Sequence, residues 1–163
     1  MLHFIYNPNA GNNNAARKAN ILKKLYAVPN SKVWETTKPL EATYFTKKAI
    51  EENASRIIAV GGDGTVNEVA SVLTETTIPL GIIPIGSGNG LARHLNIPIQ
   101  FEAALDRAIN GHEIGIDVGL LNNKMFFWYF PFFLVAHGRY QCDPLGSITL
   151  DPSPLGDVYF LGY

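Results

Sequence analysis

Cysteine is almost absent from this 163-residue chain: Cys142 stands alone, which excludes an internal disulfide and fits a reducing compartment. It has no histidine or basic residue beside it and reads as an ordinary thiol. Charge is sparse too. Charged residues make up 17% of the chain and the formal net charge is −1, so no broad basic field argues for nucleic acid. Long apolar runs are also missing. Leu2-His3-Phe4-Ile5-Tyr6 is stopped at once by Asn7-Pro8-Asn9, too soon for a signal peptide. The apolar stretch from Met125 to Ala136 contains Pro131 and falls short of the roughly 20 residues a spanning helix needs. His3, His94, His112 and His137 are scattered, and with one cysteine they form no zinc signature. There is no Gly-x-x-x-x-Gly-Lys-Ser/Thr loop, no Rossmann glycine spacing, and no nucleophile elbow or serine triad.

What is present is a globular composition, 47% hydrophobic, with enough residues for one domain and a real core. Up to residue 110 the periodicity alternates. Strands are predicted at 2–6, 31–36, 56–60 and 78–84. Helices are predicted at 12–27, 40–53, about 65–73, a short one after residue 90, and 101–110. Pro39 falls at or near a first helical turn, where its missing N–H costs little, and Gly111 ends the last helix. This alternation implies an α/β fold: a mostly parallel sheet with helices on both faces, binding its ligand at the carboxyl ends of the strands. From Glu113 the pattern changes. Residues 114–119 alternate with period two, Asn122-Asn123 comes next, and 124–127 completes an expected antiparallel hairpin. Residues 128–163 hold half of the eighteen aromatics, four prolines and no lysine, with neither period. The expected organisation is therefore an α/β domain over 1–111, the start of an incomplete β region over 112–127, and an atypical tail over 128–163. A hairpin without partner strands would expose apolar edges and invite association.

Two glycine-rich turns carry the chemistry. Gly61-Gly62-Asp63-Gly64-Thr65 and Gly86-Ser87-Gly88-Asn89-Gly90 each follow a run of β-branched residues and open a helical pattern. Glycine permits close approach of a ligand to the backbone, and a helix start offers unpaired N–H groups with about +0.5 e. Such turns cradle phosphate. Thr65 would donate its hydroxyl, and Asp63 would face Mg²⁺ or a substrate hydroxyl; the plainer reading makes Asp63 and Thr65 helix caps. Ser87 and Asn89 are the polar groups of the second turn. Asn7 would close a third side of the pocket or form an Asx turn. Thr36 ends its strand at the same edge, with a helix cap as its alternative role. Asn67 and Glu68 lie in the first turn of their helix and would face the ligand, although Glu68 would serve the positive helix end equally well. The basic clusters Arg17-Lys18 with Lys23-Lys24, and Lys47-Lys48, read as solvated helix faces, a membrane-facing patch being the alternative.

Val60-Gly61-Gly62-Asp63-Gly64-Thr65-Val66-Asn67-Glu68-Val69 resembles the nucleotide-binding core of the diacylglycerol kinase catalytic domain, the family of diacylglycerol, sphingosine and bacterial lipid kinases. Pro84-Ile85-Gly86-Ser87-Gly88-Asn89-Gly90-Leu91-Ala92-Arg93 is similar to its second motif, Asn7-Pro8-Asn9-Ala10-Gly11 to its opening motif, and Ile116-Asp117-Val118-Gly119 to its later Asp-containing strand. The resemblance implies an ATP- and Mg²⁺-dependent kinase that phosphorylates a lipid hydroxyl, cytoplasmic or peripheral at the inner membrane surface. Thr36, Gly61, Gly62, Asp63, Gly64, Thr65, Val66, Asn67 and Ser87 would contact ATP by position. The further β domain that bears the family's Mg²⁺ ligands is not recognisable after Phe127, so the chain is expected to be a truncated or frame-altered member. An NAD kinase-like enzyme, which shares the Gly-Gly-Asp-Gly turn, and a non-catalytic ATP-binding module are the alternatives. A third is docking of residues 125–136 on a membrane surface.

Overall fold

The computed structural model describes residues 1–11, 14–74, 76–116, 118–121, 124–127 and 158–162. Among the described residues five helices and eight strands succeed one another in the order β1 (Leu2–Tyr6), α1 (Ala15–Tyr26), β2 (Ser31–Glu35), α2 (Glu41–Glu51), β3 (Arg56–Gly61), α3 (Asp63–Leu73), β4 (Leu80–Pro84), α4 (Gly90–His94), α5 (Phe101–Asn110), β5 (His112–Ile116), β6 (Val118–Leu121), β7 (Lys124–Phe127) and β8 (Val158–Gly162). Six strands form one sheet in the order β2-β1-β3-β4-β8-β5, and β6 and β7 pair separately. Strands β2, β1, β3 and β4 are parallel, with Phe4 opposite both Val33 and Ile58, and Ile58 opposite Gly81.

Burial explains this order. Phe4, Ile5 and Tyr6 of β1, Ile57 to Gly61 of β3 and all of β4 are buried, so these strands must be covered on both faces. Strand β2 is half-buried or exposed along its length and takes an edge. The register assigns the helices to faces. Gly81 lies so close to α5 that an added Cβ would stand 3.1 Å from Ala108 Cβ and 3.0 Å from Ile58 Cγ1. Helix α1 joins α5 on that face through Lys24, which pairs with Glu102 and lies over Phe101. On the opposite face Trp34, opposite Ile5, stacks on Phe45 of α2, and α2 packs against α3. The expected parallel sheet with helices on both faces is the observed architecture. Ile21 and Leu25 from α1, Val66, Val69 and Leu73 from α3, and Ala104 and Ala108 from α5 complete the core. Each large aliphatic side chain buried this way stabilises the fold by about 1.5–3 kcal/mol.

Several boundaries differ from the sequence expectation, each for a local reason. Helix α1 starts at Ala15, because the Asn14 side chain accepts the Ala16 N–H at 2.9 Å and caps it. Helix α2 starts at Glu41 rather than at Pro39 or residue 40. Its Glu41 carboxylate accepts the backbone N–H groups of Thr37 and Lys38, and Leu40 takes a left-handed conformation at φ 68°. Helix α3 starts at Asp63, two residues before its expected start, so Gly61 ends a strand and Gly62 is the cap. The strand expected over 114–119 divides. Its first part lies in β5, antiparallel to β8 in the main sheet, and its second in β6, which makes the expected hairpin with β7. Strand β8 comes from the tail, for which the pattern predicts no element.

Candidate functional site

The parallel strands all deliver their following loops to one edge. Strand β1 has β2 on one side and β3 on the other, so the connection reverses direction between them. A crevice opens at the carboxyl ends of strands at such a point, and ligands of open α/β sheets bind there. Asn7, Thr36, Gly62 and Ile85 each stand within one residue of a strand end on that edge.

Three loops meet in the crevice. The Asn7 N–H donates to Val60 O at 2.9 Å, and its side-chain Nδ2 donates to Thr65 Oγ1 at 3.0 Å. Asn7 Oδ1 meanwhile accepts the Asn9 N–H at 2.9 Å. Asn7 thus forms the Asx turn and also ties the first loop to the first glycine turn. Gly11, at φ 69°, would press a Cβ onto Ile85 O at 2.0 Å, so this loop also lies against the second turn. The two glycine turns touch through bare backbone. A Cβ on Gly86 would stand 2.5 Å from Gly62 Cα, and one on Gly61 would strike the Thr65 side chain at 2.5 Å. The Ile85 N–H completes the join by donating to Gly61 O at 2.9 Å.

Asp63 braces the pair of turns. Its Oδ1 accepts the Gly90 N–H at 2.7 Å, and its Oδ2 lies 2.8 Å from where a Gly88 Cβ would be. Arg93 Nε donates to Gly88 O at 3.0 Å. Asn89, 4% exposed and left-handed at φ 53°, donates through Nδ2 to Gly86 O at 2.7 Å. Its buried Oδ1 has no hydrogen-bond partner among the described residues. A buried amide oxygen left unpaired costs about 1–3 kcal/mol, which marks a place where a ligand or water group is wanted.

Gly64 differs from the other glycines of these turns. It lies in the first turn of α3, is exposed, and a Cβ there would meet nothing within 4 Å. Packing does not require glycine here, and a helix position taken by glycine costs up to about 1 kcal/mol relative to alanine. Helix α3 also begins without a side-chain cap, so its first N–H groups have no capping side chain to accept them. Thr65 is buried, and its hydroxyl is held by Asn7. Ser87 is exposed on the second turn and Asn67 is exposed on α3.

The remaining expected residues take more structural places. The Val66 side chain is in the core and its N–H donates to Gly62 O at 3.1 Å. Glu68 Oε1 accepts the Leu40 N–H at 3.3 Å, tying α3 to the start of α2. Thr36 is buried, its N–H donates to Tyr6 O at 2.8 Å, and it stands two strands from Gly61, about 10 Å away by strand spacing. Beneath this rim, burial first and Glu35 second push the Tyr6 hydroxyl above its ordinary range, so it stays protonated. Gly11 and Arg93 carry contacts that sequence reasoning did not single out. The positive φ of Gly11 is the kind of demand that an Asn-Pro-x-x-Gly turn signals.

Among the described residues no three His, Cys, Asp or Glu side chains gather as a metal site. Asp63 is the one carboxylate on the two turns. Magnesium at phosphate sites typically takes one or two carboxylates and completes its shell with substrate phosphates and water, so this donor set fits it only together with a phosphate ligand.

Converging glycine backbone, an uncapped helix start and a single acid are features from which phosphate cradles are built. The family profile of the diacylglycerol kinase catalytic domain matches residues 1–121. The chain belongs to that family. It is 37% identical over 126 residues to the diacylglycerol kinases of Staphylococcus aureus strains MRSA252 and JH9, covering 75% of this chain and 40% of each relative. A crystal structure of a diacylglycerol kinase from Bacillus anthracis str. Sterne superposes with a TM-score of 0.68 at 27% identity, over 77% of this chain and 45% of that one. The chain therefore spans about two fifths of the length of these curated relatives. Both the Gly-Gly-Asp-Gly and the Gly-Ser-Gly-Asn turn lie within the residues that the family profile matches.

Proposed function

We propose that this diacylglycerol kinase-family chain binds ATP at the crevice between β1 and β3, and forms the nucleotide half of an enzyme that phosphorylates a lipid hydroxyl. The observation that carries the reading is Gly64: an exposed, unpacked glycine at an uncapped helix start, on the first of two glycine turns whose backbones lock together. The N–H groups of the first turn of α3 would hold phosphate oxygens, with the exposed Ser87 hydroxyl donating to them from the second turn. In the transfer, the lipid oxygen forms a bond to the γ-phosphorus as the bond to the bridging oxygen breaks, ADP leaves, and the hydroxyl proton passes to a base. Little covalent work falls to the protein, and positioning supplies most of the rate. Asp63, anchored through Oδ1, offers Oδ2 either to Mg²⁺ or to the hydroxyl proton. Mg²⁺, when bound, neutralises charge developing on the phosphates.

The acceptor is a membrane lipid in this reading, so the protein works as a peripheral protein at the cytoplasmic face, where ATP is available. Among the described residues no helix is long and apolar enough to cross a membrane. The test is calorimetric titration of the purified chain with Mg-ATP, followed by transfer of labelled phosphate to diacylglycerol, sphingoid bases and NAD. Saturable ATP binding with label on a lipid is expected. Label on NAD alone would assign the chain to the NAD kinase branch. ATP binding with no acceptor labelled would make it a nucleotide-binding module, and no ATP binding would end the proposal.

A further inference from the structure

Arg93 is the basic residue that the second glycine turn holds in place. Loops 7–11, 61–68 and 84–90 contain Asp63 and Glu68 but no lysine or arginine. A nucleotide bringing three phosphates to these loops would meet backbone dipoles and two carboxylates, with no side-chain cation. Arg93 stands in the last turn of the five-residue helix α4, where a basic side chain ordinarily serves the carbonyls at the helix C-terminus. Its side chain instead reaches back past the helix start. Nε donates to Gly88 O at 3.0 Å, on the turn that Asp63 also braces. A guanidinium held through Nε keeps both Nη groups for a second partner, and a phosphate accepts two parallel N–H groups in that planar geometry. Arg93 is exposed and forms no ion pair with Asp63 or any other acid among the described residues.

We propose that Arg93 provides the cationic contact to the nucleotide's phosphates, with the Gly88 carbonyl holding its guanidinium at the cradle. This rests on the proposed ATP binding at that cradle, and the experiment separates the two. The full chain, Arg93→Gln and Arg93→Lys are titrated calorimetrically with Mg-ATP, ADP and adenosine, with a thermal melt of each. Arg93→Gln should weaken ATP binding about ten- to a hundredfold, ADP binding less, and adenosine binding not at all, while melting close to the unaltered chain. Arg93→Lys keeps the charge without the planar fork and should recover part of the loss. ATP affinity within twofold of the unaltered chain in a folded Arg93→Gln protein overturns the proposal. Equal losses for ATP and adenosine also overturn it, leaving Arg93 as a brace for the turn. Should Arg93→Gln not fold, Arg93→Lys decides: an undiminished preference for ATP over adenosine overturns the contact, and a reduced preference supports it. An unaltered chain that ignores ATP sinks both this proposal and the ATP-binding function on which it rests.

Discussion

Gly64→Ala separates the demands of folding from those of ligand binding. The residue lies inside helix α3, not at a positive φ, and an added methyl would meet nothing within 4 Å. Alanine there should remove part of the conformational entropy that glycine loses on folding. The full effect in a helix interior is about 0.5–1 kcal/mol, and half of that is reasonable for a first turn. For a chain of this size, a gain of about 0.5 kcal/mol raises the melting temperature by roughly 1–2 °C. Binding should move the opposite way. The methyl would fill the space where a phosphate approaches the first N–H groups, and lengthening those charge-assisted hydrogen bonds should cost about tenfold or more in ATP affinity. The assay is a thermal melt without ligand, paired with calorimetric titration of Mg-ATP. A variant that melts higher and binds more weakly is the expected result. A variant that melts higher and binds ATP as before would show that no phosphate lies against Gly64.

The same contacts predict four further outcomes. Gly86→Ala places a Cβ 2.5 Å from Gly62 Cα, backbone against backbone, so it should destabilise the fold by about 1–3 kcal/mol in a denaturant titration, unlike Gly64→Ala. Asp63→Asn retains an oxygen for the Gly90 N–H; it should stay folded by circular dichroism yet lose Mg²⁺-dependent tightening of ATP binding, and unchanged Mg²⁺ dependence would argue against Oδ2 as a metal contact. Asn14→Ala removes the cap of α1 and should cost about 1 kcal/mol of stability while leaving ATP affinity unchanged. His3 is fully buried, accepts the Trp34 Nε1–H on Nδ1 at 3.1 Å, and is held by burial below its ordinary 6.5. Its neutral form is the folded form, so its contribution is complete above pH 6.5 and falls as pH drops from there toward the folded pKa. The urea midpoint should therefore decline between pH 7 and 5, and less steeply in His3→Gln; equal slopes would remove His3 as the cause.

The central sheet was legible because Leu2–Tyr6, Arg56–Gly61 and Leu80–Pro84 are short, mostly apolar runs bounded by turn residues, which suits strands covered on both faces. The rim that carries the candidate site was legible from chain direction alone, since parallel strands deliver Asn7, Gly62 and Ile85 to one edge. Where α3 begins was not legible. Asp63-Gly64-Thr65 has poor helix propensity and reads as loop, yet the locked Gly62 and Gly86 backbones set these residues in the first helical turn. The role of Asp63 as a brace was hidden for a related reason: its partner, the Gly90 N–H, lies 27 residues away. Strand β5 has a period-two pattern that fits a hairpin with residues 124–127, whereas its partner β8 lies far along the chain in an aromatic stretch without periodicity. Local pattern reports faces and turns, and pairing across such a separation leaves no trace in it.

The most direct test of the account is an amide NMR titration of the labelled chain with Mg-ATP. The phosphate cradle predicts saturable shifts that are largest at the N–H groups of Gly62, Asp63, Gly64 and Thr65, and at Ser87 and Gly88 across from them. Saturable binding that leaves these amides unmoved and shifts others instead would contradict it.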